Sequence, residues 1–183
     1  TEETRDASTQ LDTIGEFRVG CPELSGLSLG NFKWETFQNQ AAKIATFVTM
    51  EGQKPKEPMR AWVAKSAGQL LVVCECETAD AAKGAPARRQ RDENVYEDEC
   101  VEVFLDPSRD GSKYYHIAVN SEGIVGDEVS GGDGLDRAWN CDVKALVRKG
   151  EKSWSVALSI PLNAVGLTGA ARITASCPGV GKL

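Results

Sequence analysis

The sequence predicts an all-β protein, a sandwich of two antiparallel sheets. Three observations carry that reading. Short segments of alternating apolar and polar residues recur along the whole chain. Gly, Pro, Asp and Asn punctuate them at close intervals, supplying turns rather than long crossovers. No long segment repeats apolar residues at three-and-four spacing, so helix is expected in less than about a tenth of the chain, well below the usual share.

Residues 1–20, beginning TEETRDASTQ, read as a polar tail, and 21–183 as one sandwich domain. QNQAAKIATFV has room for one short helical turn before a strand at 43–49. Another strand follows at 59–64. In 69–77, Leu70, Val72, Cys74 and Cys76 face one way, and Leu71, Val73, Glu75 and Glu77 the other. Residues 78–98 form a long polar excursion, with 80–94 expected to be the most irregular segment; loops of that kind are commonly functional or mobile. Residues 99–106 give the clearest strand, with Val101, Val103 and Leu105 on one face and Cys100, Glu102, Phe104 and Asp106 on the other. DPSRDG supplies a turn. The strand 113–120 then places Ile117 and Val119 opposite His116, Ala118 and Asn120. SEGIVGDE continues as a short hairpin, and SGGDGLDRAWN reads as a loop. Residues 143–148 and 154–160 pair around KGEKS, with Trp154, Val156, Leu158 and Ile160 on one buried face. Pro161 stops that strand, and 172–177 is the last, giving eight or nine strands.

Composition narrows the function. The 183 residues carry 21 basic and 27 acidic side chains, a net charge of −6, with an apolar fraction of 41%. These are globular values, and the acidic balance argues against nucleic acid or anionic lipid as partner. The longest apolar run, at 70–74, is far too short to cross a bilayer. The polar opening is compatible with a chain from which a signal peptide has been removed.

Six cysteines allow three disulfides and fifteen pairings. Cys74 and Cys76 form C-x-C rather than a zinc pattern and read as buried thiols; a Cys21–Cys177 bridge would join the two ends. His116 is the single histidine, so any histidine-dependent catalytic site would have to use it, and its strand position is that of an ordinary polar residue. No H-E-x-x-H or phosphate-cradling glycine loop occurs. Asp106 and Asp110 lie near a glycine, as in part of a calcium loop, but a hairpin turn is the simpler reading.

The segments RAWVAKSAGQLLVVCECE, RDENVYEDECVEVFLDPSRDGSKYYHIAVNSEGIVGDE and AWNCDVKALVRKGEKSWSVALSIPLNAVGL resemble family 9 carbohydrate-binding modules and their wider DOMON-like relatives. CPELSGLSLGNFKWE is similar to that family's opening segment. The likeness covers about residues 21–177, and VYEDECVEVFLDP followed by YYHIAVNSEG is its most specific part.

The resemblance implies a secreted, extracellular or cell-envelope β-sandwich that catalyses nothing. It implies binding of a plant-type polysaccharide or oligosaccharide on a concave sheet face, structural calcium, and attachment to enzymes such as glycoside hydrolases. Residue by residue, it implies that Tyr96 stacks on the sugar, that Glu102 accepts its hydroxyls and that Asn120 completes the site; His116, on the same strand face, is expected alongside. Ala118 stands where the family carries an arginine, and no tryptophan matches its second aromatic. Trp139, in a Gly/Asp-rich loop, is the candidate substitute; alternatively it plugs the end of the sandwich. Arg88 or Arg91 is the candidate replacement cation. Some DOMON-like relatives hold haem, but Met50, Met59 and His116 are the only axial candidates and nothing places them together, so no haem is expected. The alternative to sugar binding is a structural or interaction domain of a larger extracellular protein that has lost the site.

Overall fold

The structure, a computed structural model, describes residues 20–44, 58–77, 90–168 and 172–176. Two five-stranded antiparallel sheets face one another. The first contains β1 (Ala42–Ile44), β2 (Met59–Ser66), β3 (Gln69–Glu77), β9 (Ser153–Pro161) and β8 (Lys144–Lys149), in that spatial order. The second runs β10 (Arg172–Ser176), β4 (Cys100–Asp106), β5 (Tyr114–Asn120), β6 (Val125–Gly131) and β7 (Gly134–Asp136).

The sandwich forms because each strand offers an apolar row to the gap between the sheets. Val101, Val103 and Leu105 of β4 and Ile117 and Val119 of β5 are fully buried there. They meet Val72 and Cys74 of β3 and Trp154, Val156, Leu158 and Ile160 of β9. The expected register of β4, β5 and β9 is therefore the observed one, with Glu102 opposite Ala118 and Phe104 opposite His116 on the outer face. The Trp154 indole N–H donates across the gap to Glu99 at 3.0 Å, which gives the largest buried side chain a polar partner.

The two outer faces differ. On the first sheet, Trp62, Ala64, Leu71, Val73 and Ala157 form a second apolar layer. Residues 24–41 lie over it, contributing Leu24, Leu27, Leu29, Phe32, Trp34 and the buried Phe37. This segment is tied to β2 by Leu24 N–H to the Lys65 carbonyl and Lys65 N–H to the Pro22 carbonyl, both at 2.7 Å. Apolar residues on both faces are what a strand covered on both sides requires, which explains the unbroken run in β3.

Two local expectations need correction. The single α-helix among the described residues is α1 (Trp34–Gln40), which starts ahead of the QNQAAKIATFV segment and ends within its QNQ; Phe37 is its anchor against the sheet. SGGDGLDRAWN is not simply a loop: Gly134–Asp136 pairs with β6, Ser130 facing Leu135. The first strand is present at 42–44, and the rest of its expected span lies outside the described residues, as do the tail 1–19, residues 80–89 and Cys177. No described helix is long and apolar enough to cross a membrane.

Leu158, fully buried, and Leu135, 46% exposed, provide a test of this core. Leu158→Ala is expected to destabilise the fold by about 2–5 kcal/mol in urea unfolding. Leu135→Ala should stay within about 0.5 kcal/mol. Equal effects would show that the core is misplaced.

Candidate functional site on the outer face of the second sheet

The second sheet alternates apolar-in and polar-out, so its outer face carries Glu102 and Phe104 from β4, Tyr114, His116 and Ala118 from β5, and Gly126 and Glu128 from β6. Strand pairing sets Ala118 between Glu102 and Gly126, and His116 between Phe104 and Glu128. Two small residues side by side leave a depression. A 3-10 turn, Val95–Glu97, closes one side of it. Val95 is buried and packs on Gly126, where an added Cβ would come within 3.3 Å of the Val95 Cγ2. The segment ahead of the turn is pinned to β6 by Asp92 N–H to the Val125 carbonyl at 3.0 Å and Asp127 N–H to Asp92 Oδ1 at 3.1 Å. Tyr96 is thereby held at the rim, its hydroxyl donating to Asn94 Oδ1 at 3.1 Å. The resulting pocket is lined by Asn94, Tyr96, His116, Ala118, Glu128 and Arg137, among others.

A polar bridge crosses three strands beside the pocket. His116 Nδ1 lies 2.9 Å from Glu128 Oε1, and its Nε2 lies 2.8 Å from Glu102 Oε2. Phe104 stacks face to face on the imidazole, with centroids 4.2 Å apart and planes within 2°. Burial on its own would lower the His116 pKa; the two flanking carboxylates outweigh it and raise the value. Arg137, from the loop after β7, places Nε 3.5 Å from Glu128 Oε2 and is 67% exposed.

A second network lies just inside. Asp127 points inward from β6, accepting from the Arg91 guanidinium and from the Cys141 N–H at 2.8 Å. Arg91 also donates to Asn140 Oδ1 at 2.9 Å. Burial first, and then the Asp127 side chain, push the Cys141 thiol up to about 12.

Of the residues singled out in the sequence, Tyr96, Glu102 and His116 are brought together on this face. Asn120 is not brought to the pocket. It is fully buried, its NH2 donating to Asp98 at 2.9 Å and its oxygen accepting the Glu122 and Ile124 N–H groups, so its amide is spent in the turn after β5. Trp139 is half-buried against the core, 4.9 Å from the ring of the inward-facing Tyr115. Arg91 reaches Asp127 rather than Glu102; Arg88 lies outside the described residues. Sequence reasoning missed Glu128 and Arg137, although Glu128 stands in the same alternation as His116.

Two further chemistries find little support. The carboxylates of DPSRDG are turned onto their own loop: Asp106 accepts from Arg109 and Gly111 N–H, and Asp110 from Ser112 N–H. Hydrogen bonds from the Ser112 side chain first, then from the Ser108 side chain and the Ser112 N–H, hold the Asp110 carboxyl down to about 2. No group of three or more His, Cys, Asp or Glu side chains among the described residues is arranged to hold a metal ion. Gly26-Leu27-Ser28-Leu29-Gly30 matches the G-x-S-x-G pattern. Ser28, however, is exposed at the start of the 3-10 turn Leu29–Asn31 and bonds to Asn31, in the segment that covers the first sheet, while His116 lies on the outer face of the second.

No protein-family model matches the chain, and no curated protein matches it. Solved structures do. A Bacteroides uniformis protein assigned to carbohydrate binding superposes with a TM-score of 0.53 at 19% identity, over 82% of this chain and 78% of that one. A family 9 carbohydrate-binding module from Caldicellulosiruptor kristjanssonii, in complex with cellotriose, gives 0.50 at 16% identity, over 85% and 75%. A family 9 module from the same organism in complex with glucose gives 0.53 at 14%, over 84% and 76%. The chain thus shares the β-sandwich fold of these modules, as the sequence resemblance implied.

The pocket rim depends on the missing side chain at Gly126. Gly126→Val is expected to push Val95 off the sheet and cost about 1–3 kcal/mol by urea unfolding; a neutral or stabilising change would show that the turn does not rest there.

Proposed function

We propose that this chain is a non-catalytic carbohydrate-binding module of a secreted protein, taking a sugar or polysaccharide end on the outer face of its second sheet. The observation that carries the reading is the pocket beside Tyr96. An aromatic ring, the Asn94 amide, the Glu128 carboxylate and the Arg137 guanidinium converge there, on the one sheet face that residues 24–41 leave uncovered. A sugar presents apolar C–H faces and a rim of hydroxyls, and a ring flanked by fixed donors and acceptors suits both. The fold shared with modules seen in complex with glucose and cellotriose supports the same reading. Glu102 acts as an acceptor at the far side of the depression, and Arg137 supplies the cation that Ala118 lacks. Attachment to a glycoside hydrolase is part of this proposal.

The second reading, a structural or interaction domain, is favoured by the placement of Asn120 and Trp139, both committed to turn and core.

Calorimetry with glucose and cellotriose separates the two. Loss of a stacking ring or a hydroxyl acceptor should weaken binding by about tenfold or more in Tyr96→Ala and Glu102→Ala, with folding intact. Unchanged affinity in both folded variants would place the ligand elsewhere, and no binding by the parent chain would favour the second reading.

A further inference from the structure

The bridge beside the pocket has a proton requirement of its own. Glu102 and Glu128, when ionised, only accept hydrogen bonds, and both ring nitrogens of His116 face one of them at under 3 Å. A neutral imidazole carries a single N–H. It serves one carboxylate and turns a lone pair on the other. Only the imidazolium satisfies both. The ring is not free to avoid the conflict, because Phe104 stacks flat against it. Nor is water plentiful: the three side chains are only 10%, 17% and 21% exposed.

Resting on the sugar-binding reading above, we propose that His116 is a positioning residue: as an imidazolium it ties Glu102 and Glu128 across three strands in the geometry the ligand meets, and on losing its proton it releases Glu128 to Arg137 and weakens binding. Glu128 is the arm that leaves because it has a second partner waiting. Its other oxygen already lies 3.5 Å from Arg137 Nε, and Arg137 is exposed enough to advance. A closer Glu128–Arg137 pair withdraws from the pocket both an acceptor and a donor that a sugar would use.

Among the described residues, Glu102 and Phe104 approach the imidazole from β4, Glu128 from β6, Arg137 from the loop after β7, and Tyr96 from the 3-10 turn, while Asp92 and Asp127 line the same pocket. Burial opposes the proton and the two carboxylates favour it, while Arg137 competes for Glu128. The balance raises the His116 pKa, so the bridge is complete below the ordinary histidine value of about 6.5 and is lost as pH rises through the folded-state value.

His116 is the single histidine, so its ring resonances need no assignment. In an NMR titration of the unliganded chain, the expected pKa lies above the ordinary value. It should fall in Glu102→Gln and in Glu128→Gln, and rise in Arg137→Gln, where the competing cation is gone. Glucose affinity by calorimetry should drop about tenfold as pH rises through that same value, the loss expected for one charge-assisted hydrogen bond. His116→Gln should bind more weakly with a flat pH profile. A His116 pKa at or below the ordinary value, or unchanged by either glutamine variant, overturns the bridge. Parent-chain affinity that is flat across the His116 transition overturns its role in binding. Absence of glucose binding at every pH overturns the sugar-binding reading and the binding role together, while the titration still decides the bridge.

Discussion

Every strand of the second sheet must turn alternate side chains toward the first, and that single constraint dictates where the chemistry sits. Once Val101, Val103, Leu105, Ile117 and Val119 fill the gap, Glu102, His116 and Ala118 have only the outer face available. A shift by one residue would bury two carboxylates and an imidazole and expose the β-branched core, a cost far beyond the net stability of a domain this size. The polar bridge and the pocket are therefore consequences of how the hydrophobic core is registered.

A sandwich has two outer faces, and this chain treats them oppositely. Residues 24–41 pack Phe37, Trp34 and five further apolar side chains onto the first sheet, which covers that apolar layer. The second sheet keeps a polar, charged surface, bordered by a turn that packs close over Gly126, where an added Cβ would crowd Val95. Asp127, Arg91 and Asn140 lash that turn's approach to the loop ahead of β8, so the pocket wall is braced from inside. Rigid support of this kind lowers the ordering cost of binding.

Much of this was legible in the sequence, for a physical reason. Period-two alternation in 99–106 and 113–120 sets both register and face without any tertiary knowledge. What was not legible depends on cross-strand distance and loop closure. Nothing local marks Glu128 as the second partner of His116, because the pairing needs the β5–β6 register. Asn120 looked like a ligand group on its strand face, yet its amide closes the 120–124 turn, a use that only the loop geometry reveals. Trp139 sits in a stretch of turn residues, and only the fold shows that its ring meets Tyr115.

The central claim is that the face bearing Tyr96, Glu102 and His116 is the ligand face. Amide chemical-shift mapping of the labelled chain with cellotriose tests it most directly. The account predicts that the largest shifts cluster at residues 94–96, 116–118, 126–128 and 137, with the first sheet and α1 unaffected. Shifts centred on α1 and the first sheet, or none at millimolar ligand, would contradict it.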